Sequence, residues 1–308
     1  MSYNSFDTPI LILTFNRPSL VAGLLDRLRS VRPSKLYFAS DGPRLGNSTD
    51  KVNVDECRSL VSSIDWDCEI FSKFSEANLG CRSGVVSAIN WFFENEDAGI
   101  ILEDDCWPEP TFFSYCENLL KLHKHDSNVM SITGYNALGV DHSAGQNYYF
   151  SHFGGIWGWA TWRRAWIRFD NCDHNMRLFV ESDYLLKLLG DPLGTKRKAF
   201  LLEGCKLLEE NKIDTWDLNW AYTRHRYSGL TCVPKYNLIS NVGLGISATN
   251  TTSRKVSVKS HGDIDMEVFG GLPIISNRNY DEYFISQIST PPLMRRILSK
   301  IGHQRIFR

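Results

Sequence analysis

The stretch Ile100-Ile101-Leu102-Glu103-Asp104-Asp105-Cys106 decides how the rest of the chain is read. Three apolar residues with strand character run directly into three consecutive carboxylates. A short apolar run that ends in polar residues reads as a buried strand of a parallel sheet. In such sheets ligands sit beyond the carboxyl ends of the strands. Three adjacent acids repel one another, and a partly buried carboxylate is costly unless a cation pairs with it. A divalent metal that itself holds a diphosphate would remove that cost. An acidic triplet taken alone is more often a solvated turn. The preceding strand, and the matching ends of two others, favour a site here.

Those two strands lie upstream. Residues 9–15 (PILILTF) are continuously apolar and stop at Asn16-Arg17-Pro18, which can cap and start a helix. Leu20, Leu24, Leu28 and Val31 then recur at helical spacing. Residues 35–40 (KLYFAS) predict the second strand, broken by the turn signal Asp41-Gly42-Pro43. A helix over 50–64, a strand over 68–74 and a helix over 82–94 follow. The last of these comes after Asn78-Leu79-Gly80 and carries Val85, Ile89, Phe92 and Phe93 on one face. Such alternation predicts an α/β fold, with a mostly parallel, Rossmann-like central sheet flanked by helices.

Beyond the acids, 108–122 reads as a helix, and 129–133 and 148–153 as strands. Helices are expected over 183–189 and 197–211, a further one starting within Asp214-Thr215-Trp216-Asp217-Leu218-Asn219-Trp220, and a strand over 230–239. Between them, Gly154-Gly155-Ile156-Trp157-Gly158-Trp159-Ala160-Thr161-Trp162-Arg163-Arg164-Ala165-Trp166 concentrates four tryptophans beside three glycines. Trp162 and Trp166, one helical turn apart, read as core. Trp157 and Trp159, flanked by glycines that let backbone approach a ligand, read as a sugar platform. Past about Asn250 the hydrophobic pattern thins. Residues 292–308 mix Arg295, Arg296, Lys300, Arg305 and Arg308 with Leu, Ile and Phe. That end suits an anionic membrane surface, or equally a tail that packs on itself or stays disordered.

With 43% hydrophobic and 12% aromatic residues, 308 residues suffice for one large α/β core. A formal net charge of −1 argues against nucleic acid as the main partner. There is no charged-then-apolar leader, and no apolar run approaches about 18 residues, so a cytoplasmic chain is expected. The eight cysteines show neither CxxC nor Cys/His ligand spacing, which fits reduced, mostly buried thiols.

Three strand ends thus converge on one edge: Asn16/Arg17, Asp41/Gly42 and Glu103–Asp105. An Asp can accept the imide hydrogen of a uracil or bond a ribose hydroxyl, and an Arg can steady a base or fork onto a phosphate. Each residue alone is more often a cap or a turn. Together they make a nucleotide pocket the better account.

The order of these pieces resembles the A-type glycosyltransferases. Within them it is most similar to the inverting group that includes the N-acetylglucosaminyltransferase acting first in hybrid and complex N-glycan synthesis, and to bacterial sugar transferases related to it. The resemblance is carried by Arg17 after the first strand, Ser40-Asp41-Gly42, Asn78-Leu79-Gly80, Leu102-Glu103-Asp104-Asp105, Gly155-Ile156-Trp157-Gly158-Trp159 and Trp216-Asp217-Leu218-Asn219-Trp220. It implies a nucleotide-sugar donor, with uridine diphosphate as leaving group, and a divalent metal, Mn²⁺ or Mg²⁺. It implies Asp105 as the metal ligand, with Glu103 and Asp104 near the sugar and ribose. Arg17 and Asp41 would hold the base, with Thr14, Asn16 and Arg82 beside the donor. The catalytic domain would span 1–250, its donor-binding half 1–106 and its acceptor-binding half 107–250, followed by an extension over 251–308. The acceptor would be a saccharide or glycolipid, in polysaccharide or glycan synthesis.

Inversion needs a base opposite the leaving group to take the acceptor's proton. Asp217, between Trp216 and Trp220, matches the family's acid, and Asp214 is its rival. Either residue would equally serve as a helix cap. Trp216 joins Trp157 and Trp159 as a platform candidate. One departure stands out. Related sequences carry a Thr-His pair after the Asn-x-Gly-x-Gly turn. Here Asn241-Val242-Gly243-Leu244-Gly245 is followed by Thr249-Asn250-Thr251 without His, and nothing ties His261 to the site. Two other readings compete. A sugar-nucleotide nucleotidyltransferase would want a Gly-rich basic loop where Asn16-Arg17-Pro18 stands. A glycan-binding module would have no need of a base.

Overall fold

β1 (Ile10–Thr14) is buried along its whole length, and its side chains alternate between two cores: Ile10 and Ile12 enter one, Leu11 and Leu13 the other. A strand covered on both faces must be apolar throughout, which is why its run has no polar alternation. In the computed structural model, which describes residues 6–140, 146–243 and 273–288, it is an interior strand, third from one edge of an eight-stranded sheet. The other members are β2 (Lys35–Ser40), β3 (Glu69–Phe74), β4 (Ala98–Glu103), β6 (Val129–Thr133), β7 (Tyr148–Ser151), β8 (Trp159–Trp162) and β9 (Leu230–Pro234). β5 (Cys106–Pro108) and β10 (Ile239–Asn241) form a separate antiparallel pair.

The sheet order is β3-β2-β1-β4-β8-β6-β9-β7. β3, β2, β1 and β4 are mutually parallel, as are β6 and β9, whereas β8 and β7 run antiparallel to their neighbours. This is the mostly parallel α/β sheet expected from the sequence. Because the chain steps from β1 outward to β3 and then returns to the other side of β1 as β4, the order reverses there. Ligands bind at such a switch point, beyond the carboxyl ends.

α1 (Pro18–Leu28), α2 (Ser48–Ser59) and α4 (Pro110–Leu122) cover one face, burying Val21, Leu24, Leu25, Leu28, Cys57 and Phe112 among others. α3 (Gly80–Asn95) and the short α5 (Arg163–Trp166) cover the other with Ala88, Ile89, Phe92, Phe93 and Trp166. α6 (Asp173–Glu181), α7 (Tyr184–Leu189), α8 (Leu193–Glu209), α9 (Asp217–Arg226) and α10 (Arg278–Ile288) enclose a third cluster. The sequence reading contained no β8, α6 or α10. β8 lies inside the expected tryptophan loop, where Ala160 and Trp162 enter one core and Trp159 the other. Trp162 is therefore core, as expected, but in a strand. α10 lies within the stretch read as an extension beyond residue 250. It packs on α8 and β7, with Tyr280 and Ile285 buried.

All eight cysteines are free thiols, five of them buried. No helix among the described residues is long and apolar enough to cross a membrane. The basic end 292–308, residues Leu244 to Gly245, the Thr249-Asn250-Thr251 turn and His261 lie outside the described residues.

Candidate active site

Register brings the expected strand ends together. Thr14 pairs with Ser40 across β1 and β2, and Leu13 with Glu103 across β1 and β4. The ladder continues one step past each strand: Asp41 N–H donates to the Thr14 carbonyl, and Asp104 N–H to the Leu13 carbonyl, both at 3.1 Å. Above this edge opens a cleft of about 280 Å³ lined by Thr14, Arg17, Asp41, Glu103, Asp104 and Asp214, among others.

At its floor Arg17 clasps two of the three acids. Its guanidinium donates to both oxygens of Asp104, and at 2.9 Å to one oxygen of Asp105. Burial works against the charge on Arg17, but Asp104 and Asp105 outweigh it and raise its pKa. Burial pushes the Asp104 carboxyl up despite Arg17. Burial, then Asp105 and Asp104, push Glu103 up further, and among the described residues no donor reaches its carboxylate. Three carboxylates thus face one guanidinium. Gly243 presses on the same spot: a Cβ there would stand 2.1 Å from Asp105 Oδ2, so glycine lets the segment after β10 pass so near. Val242 N–H also donates to the Asp105 carbonyl at 2.9 Å.

Asp41 lines the cleft, but its oxygens already accept from Gly42 N–H (2.8 Å), Leu79 N–H (2.9 Å) and the Asn78 amide (2.9 Å). Burial raises its pKa against those hydrogen bonds. It binds the end of β2 to the turn before α3. Asn16 donates to Asp50 at 2.7 Å rather than capping α1, which begins on Pro18 with no side-chain cap. Arg82 turns away from the expected donor position. It pairs with Asp173 at 2.7 Å and donates to Asn171, both near the start of α6, where oppositely charged and acceptor groups are available.

The two candidate bases separate by geometry. Asp214 accepts from Cys81 N–H at 2.7 Å and Arg82 N–H at 3.3 Å, and so caps the first turn of α3. Asp217 opens α9, takes the Thr215 hydroxyl and its neighbour's Leu218 N–H (2.9 Å), and lies close enough for its charge to bear on Glu103. Of the platform candidates, Trp159 and Trp216 are each 1% exposed and stack on one another at 5.7 Å, so both are core. A ring packed on both faces presents nothing to a sugar. Trp157 is only partly buried, its ring edge-on to Tyr135 at 5.0 Å.

Arg44 and Lys73 also line the cleft and were missed. Arg44 pairs with Asp50 and lies over Phe15; Lys73 lies over Trp91. Their signal was weak, since a lone cation in a turn or on a half-exposed edge strand looks like ordinary surface.

Among the described residues no three His, Cys, Asp or Glu side chains are placed to cage a metal. The cleft floor nevertheless fits a hard divalent cation, which takes one or two carboxylates and completes its shell with phosphate oxygens and water. Glu103 and Asp105 carry carboxylate oxygens that such a cation would take, and the charge that Arg17 leaves uncompensated would favour it.

Sheet order and cleft position together define a mostly parallel α/β fold with its cleft at the switch point. No family model and no curated protein matches the chain. Among solved structures it is similar to a mannosyltransferase from Pyrobaculum calidifontis in complex with GDP-Man and Mn²⁺, at 10% identity and a TM-score of 0.39, over 72% of this chain and 70% of that one. It is also similar to HddC from Yersinia pseudotuberculosis, at 12% identity and a TM-score of 0.31, over 51% and 77%.

Proposed function

We propose that the chain is a metal-dependent, inverting glycosyltransferase that moves a hexosyl or N-acetylhexosaminyl group from a UDP-sugar to a saccharide acceptor. One arrangement carries this reading: at the sheet's switch point, a cleft lined by Arg17, Arg44, Lys73, Glu103 and Asp104, with Asp105 held by Arg17, lies close enough to Asp217 for that charge to bear on Glu103. Cations suit a diphosphate, the acids suit a metal, and a separate carboxylate suits proton abstraction. Glu103 and Asp105 would hold Mn²⁺ or Mg²⁺, which when bound stabilises the charge left on the departing diphosphate. Arg17 orients Asp104 and Asp105 with all three of its guanidinium nitrogens. Asp217, its carboxylate fixed by Thr215 and Leu218, takes the proton of the acceptor hydroxyl as that oxygen attacks the anomeric carbon and the bond to the nucleotide breaks. Asp214 and Asn78 hold the cleft wall rather than the chemistry.

Calorimetric titration of UDP in the presence of Mn²⁺ tests the donor half. Wild type is expected to bind UDP more tightly with the metal than without, and Asp105→Ala to lose that difference. An undiminished gain in UDP affinity from Mn²⁺ in the variant would remove Asp105 as a ligand, and no binding in wild type would remove the reading.

A further inference from the structure

Arg197 of α8 and Arg224 of α9 are 5% and 3% exposed, and among the described residues neither has a carboxylate at ion-pair distance. Arg197 Nε donates to His225 Nε2 at 3.0 Å. His225 therefore carries its hydrogen on Nδ1, and that atom is buried without a partner. Arg224 Nε and His152 Nδ1 are likewise buried and unpartnered. The terminal nitrogens of Arg224 donate to the Thr231 hydroxyl and the Gly154 carbonyl. Among the described residues Arg197 also lies over two rings, those of Phe153 at 5.3 Å and Phe200 at 5.2 Å. Burial lowers Arg197 to about 9, with Arg224 acting the same way and Asp217 opposing, and it lowers Arg224 to about 10. Burial, Arg197, Arg224 and His152 push His225 far down.

A buried cation without a counter-ion is among the costliest arrangements in a protein. Ring faces offset only part of that cost. A water satisfies donors but brings no charge. The complement of a cluster rich in donors and positive charge is an oxyanion. α9 carries Asp217 at its first residue and Arg224 seven residues on, about 10 Å along the axis. That spacing is on the scale of a disaccharide, so a charged substituent of an acceptor whose hydroxyl meets Asp217 falls near the cluster.

We propose that Arg197, Arg224, His225 and His152 form a site for an oxyanion, phosphate or carboxylate, borne by the acceptor saccharide. The acceptor part rests on the transferase reading; the anion site does not. The test uses the full chain without nucleotide or metal, at ionic strength held constant with chloride. Inorganic phosphate, glucose 1-phosphate, glucuronate and glucose are the probes, followed by thermal shift and calorimetry. Wild type is expected to be stabilised by the three anions and not by glucose, with the sugar-borne anions binding about tenfold tighter than phosphate. Arg197→Met is expected to lose the response while still binding UDP with Mn²⁺. In chloride alone it should melt no lower than wild type, because it removes an uncompensated buried charge; a purely structural arginine would leave a variant that melts lower in every buffer. Absence of any anion response in wild type, or an unchanged response in the variant, overturns the site. Inorganic phosphate binding as tightly as the sugar-borne anions overturns the acceptor assignment. The wild-type titrations stand even if the variant does not fold. Failure of UDP binding would sink the transferase reading and leave the anion result untouched.

Discussion

At the scale of single residues, two side chains divide the work of the cleft. Arg17 pairs with Asp104 and Asp105 at once, and Asp104 is 2% exposed. Removing one member of a buried pair leaves the other charge uncompensated, which typically costs about 3–5 kcal/mol. Arg17→Ala should accordingly lower stability by about 3 kcal/mol in urea unfolding at neutral pH, and an unchanged midpoint would show that the acids do not need the clasp. Asp217 opens α9, and its charge bears on Glu103. Asp217→Asn should retain UDP affinity yet transfer more slowly by about two to four orders of magnitude. Single-turnover kinetics with a radiolabelled donor would read this, and full activity would move the base elsewhere.

Elements decide what those residues can reach. α3 begins at Gly80 (φ +82°), and its first amide groups donate to Asp214, which stands on the segment leading into α9. Arg82, Asp173 and Asn219 add a second tie between the starts of α3, α6 and α9. Asp214→Ala therefore uncaps a sixteen-residue helix. A loss of about 1 kcal/mol is expected, with earlier amide exchange at the start of α3. A variant that lost transfer outright while keeping stability and exchange protection would instead make Asp214 the base. How much of this was legible can be said element by element. β1, β2 and β4 were readable because strands buried on both faces must be apolar throughout. β8 was not, since its tryptophans sit among glycines and its partner strands come from distant segments.

For the whole molecule, stability must depend on pH through buried groups far from the cleft. Asp281 of α10 is 1% exposed, and burial raises it to about 7 against hydrogen bonds from Ser151 and His152. Between its ordinary value of 3.8 and about 7 the folded chain keeps a proton that the unfolded chain has lost. Stability from this group is therefore present in acid and lost as pH rises through about 7. Asp281→Asn holds the neutral form at every pH, so its stability relative to wild type should improve from pH 5 to pH 8. The change is at most about 1.4 kcal/mol per pH unit across the window. Urea midpoints of both proteins at the two pH values measure it, and a constant gap would show that Asp281 does not titrate there. Subtracting wild type removes opposing groups such as His152, which burial lowers to about 4.

The amino-acid sequence determined the sheet and the edge where its polar strand ends gather. Buried strands declare themselves by composition, and parallel strands leave their carboxyl ends together. What each polar side chain does at that edge was decided by tertiary structure. An aspartate that caps a neighbouring helix, one that pairs with an arginine and one that opens its own helix are the same residue type, so Asp214, Asp104 and Asp217 differ only in what folds against them. The same holds for Trp159 and Trp216, whose stacking hides both rings, and for Arg82, drawn to an acid 91 positions away. The buried arginines near His225 were invisible for the same reason: a cation is costly only when the surrounding fold supplies it no partner.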